Sequence, residues 1–274
     1  MSARRDTFER IAAALERIAP PVSPPMDWTG APAFVWSGDG VLAIPEPDAL
    51  PLSALRGIDE QKAAVRDNLE RLASGASAHD MLLWGARGMG KSALVRAAVA
   101  DIQKTRPDAL AIIQINPDSL THFARLIEEL ARQSRTFLLF IDDLGFGEGQ
   151  NQDNLALRSL LNGGVIPRPD NIRLGVTSNR RAIVRRDPDE GEQLHARDER
   201  DDALALADRF GLTVGFHPCD RETYLAILRG YTEPAGLEVD EEEALAWAIA
   251  RGSRSGRSAY QFATELAGRA GLKL

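Results

Sequence analysis

From position 51 onward, short apolar runs recur at 81–84, 110–115, 137–141, 172–177 and 212–216, with helical patterns filling most of the gaps. Such runs fit strands buried on both faces, so the pattern predicts a parallel α/β sheet covered by helices. After Pro218 no strand signal returns, and 224–231, 241–251 and 257–268 read as three helices. At the start, Phe8, Ile11, Leu15 and Ile18 keep helical spacing until Pro20 and Pro21 end it, and 20–25 forms a stiff connector. Two β-rich runs, 34–36 and 41–44, flank Ser37, Gly38, Asp39 and Gly40 and predict a hairpin. The chain therefore divides into an N-terminal helix and hairpin extension (1–50), an α/β core (51–218) and a small helical unit (219–274). The extension either packs on its own domain or docks on a partner. Within 185–202 only Leu194 and Ala196 are apolar, which predicts an exposed loop, either simply solvated or in contact with a neighbouring subunit.

Charge narrows the function classes. The 274 residues carry 33 Lys plus Arg against 40 Asp plus Glu, and the net charge of −7 argues against a protein that coats nucleic acid electrostatically. A local basic face is still compatible with that balance. The single cysteine, Cys219, excludes an internal disulfide framework and fits a reducing compartment. No run is long and apolar enough to span a bilayer, and the charged first ten residues are no secretory signal, so the expectation is a soluble, cytoplasmic protein without a membrane partner.

The chemistry begins at Gly85, Ala86, Arg87, Gly88, Met89, Gly90, Lys91 and Ser92, which match G-x-x-x-x-G-K-[ST] between an expected strand and an expected helix. Glycines at these places let successive N–H groups converge on phosphate oxygens at a helix N-terminus. Lys91 is placed to hold β- and γ-phosphates, and the Ser92 hydroxyl to ligate Mg²⁺. The apolar run 137–141 ends in Asp142 and Asp143. Asp142 is the natural Mg²⁺ partner, while Asp143 either polarises the attacking water or only supports its neighbours by hydrogen bonding. Asn179, at the end of the next apolar run, offers a neutral amide that could bind the γ-phosphate or the water. His79, His122, His195, His217 and Cys219 show no metal-ligand spacing, and the tryptophans read as core or hairpin aromatics.

In this order, Gly85 to Ser92, Asp142 with Asp143, Asn179, Asp208-Arg209-Phe210-Gly211 and Gly256-Arg257 resemble the Walker A, Walker B, sensor 1, arginine-finger and sensor 2 series of AAA+ ATPases. The resemblance runs from about Leu52 to the C-terminus, and Leu55-Arg56-Gly57-Ile58-Asp59 resembles the segment that lines the adenine pocket, which implies Gly57 and Ile58 as nucleotide-binding residues. More narrowly, Thr177 to Arg181, Asp208 to Pro218 and Arg254 to Arg257 resemble the DUF815 group of predicted bacterial ATPases. Asp142 to Gly145 also resembles helicase loaders. The resemblance implies a parallel-sheet P-loop core with a helical lid, ATP and Mg²⁺ as cofactors, a homo-oligomer, and Arg209 reaching a neighbour's nucleotide while Arg257 serves its own.

Two departures qualify what carries over. Most AAA+ chains have Asp-Glu where Asp142 and Asp143 stand, and the segment 116–120 lacks the aromatic loop of peptide-threading members. Arg180 and Arg181 compete with Arg209 for the finger, Arg87 is expected to face solvent, and Glu148 is the reserve base. The functional expectation is an ATPase that remodels an unknown protein partner. Its rival is a nucleotide-dependent switch or adaptor of helicase-loader type, and a small-molecule phosphotransferase fits less well.

Overall fold

The computed structural model describes residues 10, 26–38, 40–116, 119, 123–144, 161, 169–179 and 207–274. The expected N-terminal helix, the loop at 185–202, Glu148, Arg180 and Arg181 lie outside the described residues. The elements in chain order are β1 (Ala33–Trp36), β2 (Val41–Ile44), a 3-10 turn (Leu52–Ala54), α1 (Asp59–Ala73), β3 (Met81–Gly85), α2 (Lys91–Gln103), β4 (Leu110–Ile115), α3 (Phe123–Ala131), β5 (Thr136–Ile141), β6 (Ile172–Ser178), β7 (Leu212–Phe216), α4 (Arg221–Thr232), α5 (Glu241–Ala250) and α6 (Gly256–Arg269).

Among the described residues, seven strands form one sheet in the order β2-β1-β4-β5-β6-β3-β7. Every pairing is parallel except β1 with β2, which is the predicted hairpin. The hairpin does not stand apart: β1 pairs with β4, Ala33 opposite Ile112 and Trp36 opposite Ile115, so it widens the sheet at one edge. Buried Arg135 ties the approach to this edge down, its guanidinium donating to the carbonyls of Trp28 at 2.9 Å and Ala31 at 2.7 Å.

Strand alternation explains the uniformly apolar runs. Leu82, Ile113, Leu139, Ile141 and Val176 enter one core with Trp28, Phe34 and α3. Their neighbours Met81, Leu83, Ile112, Leu138 and Phe140 enter the other, against Val65 and Leu69 of α1 and Leu94 and Val95 of α2. Both faces are therefore desolvated, the main favourable term for such a sheet. A third core, built on Tyr224, Leu228, Ala244, Ala259 and Phe262, holds α4, α5 and α6 together. Each of these helices has a side-chain N-cap: Asp220 accepts from Thr223 N, Asp240 from Glu242 N, and Ser255 forms a capping box with Ser258. Among the described residues, no helix is long and apolar enough to cross a membrane.

Candidate functional site

β3 delivers the phosphate loop between β6 and β7, and α2 begins at Lys91. Gly85, with φ 121°, passes so close to β7 that a Cβ would lie 2.1 Å from the Phe216 carbonyl oxygen. Gly88, with φ 73°, meets the lid: a Cβ there would lie 3.0 Å from Ser255 Oγ. These glycines answer to backbone angle and close approach together.

Lys91 is only 6% exposed, and its Nζ donates to the carbonyls of Gly85 at 3.0 Å and Ala86 at 2.9 Å and to Asn179 Oδ1 at 2.9 Å. Burial pushes the ammonium pKa down; Asp143 and Asp142 pull it back, while Arg257 and Arg87 add to the depression. Phosphate oxygens would therefore favour the charged lysine.

The acids are arranged by Thr177, to which sequence reasoning gave no role. Ser92 Oγ donates to Asp142 Oδ1 at 2.5 Å, and Thr177 Oγ1 donates to the same oxygen at 2.6 Å. Thr177 Oγ1 in turn accepts from the Asp143 backbone N–H at 2.8 Å. Asp143 has φ 57°, the one non-glycine among the described residues in the left-handed region. Aspartate tolerates that conformation better than glutamate does, which supplies a physical reason for the shorter acid. Asn179 Nδ2 donates to Asp143 Oδ1, so Lys91, Asn179 and Asp143 form one chain of hydrogen bonds.

These groups line a cleft of about 380 Å³ between core and lid, of a size suited to a small ligand. Gly88, Met89, Gly90, Lys91, Ser92, Asp142, Asp143, Asn179, Ile58 and Arg257 line it, whereas Gly85, Ala86, Arg87, Gly57 and Arg209 do not. Gly85 and Ala86 act through carbonyls that hold Lys91. Gly57, with φ 72°, packs where a Cβ would lie 2.4 Å from Thr223 Cγ2 on α4 and so lets the lid approach. Exposed Arg209 sits just before β7. Arg257 is bound in place by its backbone N–H, which donates to the Gly88 carbonyl at 3.0 Å.

The other end of the cleft uses Arg56, from the segment expected at the adenine pocket, together with Ala54, Ile227, Tyr231 and Tyr260, which carry no motif. Tyr231 and Tyr260 meet edge to face with ring centroids 5.3 Å apart, and burial pushes the Tyr231 phenol pKa up. Arg96 also lines the cleft, and its Nε is buried with no hydrogen-bond partner among the described residues. Its place four residues after Ser92, on the same helix face, was the available signal.

Among the described residues no cluster of three or more His, Cys, Asp or Glu could hold a metal. The Ser92 and Asp142 pair nevertheless suits Mg²⁺, which takes one or two protein oxygens and completes its shell with phosphates and water. His217 lies edge-on to Trp84 at 6.0 Å, and Cys219 Sγ donates to the Arg254 carbonyl at 3.1 Å. Burial, the main influence on the Cys219 thiol, pushes its pKa up, so it is held in the protonated form.

The chain matches the family described as "Protein of unknown function (DUF815)" over residues 29–270. It is 28% identical over 178 residues to the chromosomal replication initiator protein DnaA of Neisseria gonorrhoeae, covering 62% of this chain and 31% of that protein. The match to DnaA of Neisseria meningitidis serogroup B is 26% identical over the same coverage, so the chain spans about a third of these relatives. The Aeropyrum pernix ORC1 protein, solved in complex with DNA, superposes with TM-score 0.57 at 16% identity, covering 81% of this chain and 62% of that one. The Thermotoga maritima RuvB branch migration motor gives TM-score 0.50 at 15% identity, covering 82% of this chain and 67% of that one. The family match spans most of the chain, and the two solved structures share its overall fold: the chain belongs to the DUF815 family and has the fold of AAA+ P-loop ATPases.

Proposed function

We propose that this chain binds Mg-ATP in the cleft between core and lid and hydrolyses it, using the cycle to remodel a protein partner. The observation that carries the reading is the convergence of Lys91, Ser92, Asp142, Asp143, Asn179 and lid residue Arg257 on one cleft. Mg²⁺, when bound, would be held by Ser92 and Asp142 and would neutralise charge on the β- and γ-phosphates. Lys91 binds phosphate oxygens in exchange for its neutral carbonyl partners. Thr177 orients Asp142. Asp143 accepts the proton of the attacking water or positions it, and Asn179 holds that water in register. Arg257 stabilises charge that develops on the transferring group from the same chain, and Arg209 does so from a neighbouring copy in a homo-oligomer.

DnaA, ORC1 and RuvB suggest replication or branch migration by analogy, but the net charge of −7 gives a nucleic-acid partner no support beyond that analogy. A cytoplasmic location belongs to the same proposal. One observation favours the rival reading of a switch or adaptor with little turnover: Asn179 Nδ2 donates to Asp143 Oδ1 and so occupies one oxygen of the would-be base. Steady-state phosphate release separates the two. Turnover that depends on Mg²⁺ and rises per chain with protein concentration supports the ATPase; tight ATP binding without turnover at any concentration supports the switch.

A further inference from the structure

A second cleft, of about 340 Å³, adjoins the first at Gly88 and Arg257 and is lined also by Arg87 of the phosphate loop and Arg251, Ser253 and Gln261 of the lid. Among the described residues, no acidic residue lines it. This is unexpected in a chain where acids outnumber bases by 40 to 33. Elsewhere, arginines find carboxylates: Arg66 meets Asp101, Arg132 meets Glu128, Arg229 meets Glu241 and Arg269 meets Glu243. Arg87, Arg251 and Arg257 make no ion pair with any described residue. Arg251 is ordered instead by stacking, its guanidinium carbon 3.4 Å from the centroid of the Trp247 ring. Stacking occupies a guanidinium face and leaves its N–H edge available for hydrogen bonding.

We propose that this cleft is a second anion site, beside the nucleotide cleft and sharing Arg257 with it, that takes a small phosphoryl group, either free phosphate or a phosphomonoester. Planar guanidinium forks match phosphoryl oxygens in geometry and charge, and the volume admits a phosphorylated small molecule. The site straddles the two units, with Arg87 on the core and Arg251 and Gln261 on the lid. They are already joined there by the bond from Arg257 N–H to the Gly88 carbonyl. An anion gripped from both sides holds the lid onto the phosphate loop and favours the conformation that encloses nucleotide. By linkage, nucleotide and anion then strengthen each other's binding.

Calorimetric titration of the full chain tests this, with inorganic phosphate and glycerol 3-phosphate as probes at constant ionic strength. The nucleotide cleft is first filled with Mg²⁺ and a non-hydrolysable ATP analogue. Saturable binding of at least one probe is expected, weakened about tenfold or more in Arg251→Glu and Arg251→Ala, as loss of a charged hydrogen-bond partner implies, and unchanged in the distant control Arg132→Glu. Phosphate alone binding identifies a free-phosphate site; the ester alone or more tightly identifies a phosphomonoester site. Absence of saturable binding in the parent, or equal affinity in folded Arg251 variants, overturns the proposal. So does binding only of an oligonucleotide, which would make the cleft a contact for polymer. The titration repeated on Lys91→Ala without nucleotide keeps this result independent of the first cleft: an analogue that fails to bind the parent counts against the ATP reading alone.

Discussion

At its phosphate end the cleft is made of groups that already hold one another. Ser92, Asp142, Thr177, Asp143, Asn179 and Lys91 are linked by side-chain and backbone hydrogen bonds within the core. At its lid end, Ile227, Tyr231 and Tyr260 reach the same space from a unit with its own hydrophobic core. The phosphate end is a preorganised polar cluster, whereas the lid end is a largely apolar and aromatic wall, with Arg56 beside it, whose place depends on how two units sit together. Under the proposed function, chemistry falls to the first end of the cleft and conformational response to the second.

The largest effect should come from emptying the polar end of its cation. Lys91→Ala is expected to weaken Mg-ATP binding about 10- to 100-fold, the range for hydrogen bonds to a charged group, while circular dichroism stays parental. Because burial depresses the Lys91 pKa and phosphates favour its charged form, parental affinity should fall as pH rises through that depressed value. Titration calorimetry across pH checks both, and unchanged affinity in folded Lys91→Ala would remove the phosphate-loop reading.

Asp143→Asn separates binding from chemistry at the same end. Asparagine accepts φ 57° as readily as aspartate, so the backbone should stand. Nucleotide affinity is expected to persist while single-turnover hydrolysis slows at least about tenfold. A parental rate would move the base elsewhere, with Glu148 the next candidate. Thr177→Val is subtler: it removes one partner of Asp142 and one of the Asp143 N–H together. The Mg²⁺ concentration for half-maximal activity should rise about tenfold, as for other groups that orient a metal ligand. An unchanged Mg²⁺ requirement would show that Ser92 alone suffices to hold Asp142.

The two ends also differ in how much of them the sequence discloses. Gly85 to Ser92, Asp142 and Asp143 are readable because phosphate and Mg²⁺ chemistry demand particular residue types at short, fixed spacing. The strands were readable for a related reason: burial on both faces leaves unbroken apolar runs such as 137–141. Thr177 was not assigned, since its role depends on β5 and β6 lying side by side, and a threonine in a strand is otherwise unremarkable. Nor could the joining of β1 to β4 be read, because strand partners distant in sequence leave no local mark. Tyr231 and Tyr260 were hidden for both reasons: apolar wall positions accept many residues, and the two tyrosines meet only once α4 packs on α6.

The smallest effect is expected at that wall, and it tests the contrast most directly. Tyr260 is partly exposed and touches Tyr231 edge to face, a contact of about 0.5–1.5 kcal/mol beyond area burial in comparable pairs. Tyr260→Ala should therefore weaken ATP binding only a few-fold. Pyrophosphate, which engages the phosphate end without reaching the wall, should bind the variant as it binds the parent. Measuring both ligands by calorimetry gives a ratio that cancels any general loss of folded protein. If pyrophosphate weakens as much as ATP, the ends are coupled through the bond between Arg257 and Gly88, and the lid helps to shape the phosphate loop itself. If only ATP weakens, the wall recognises the nucleoside and leaves the polar cluster to act alone.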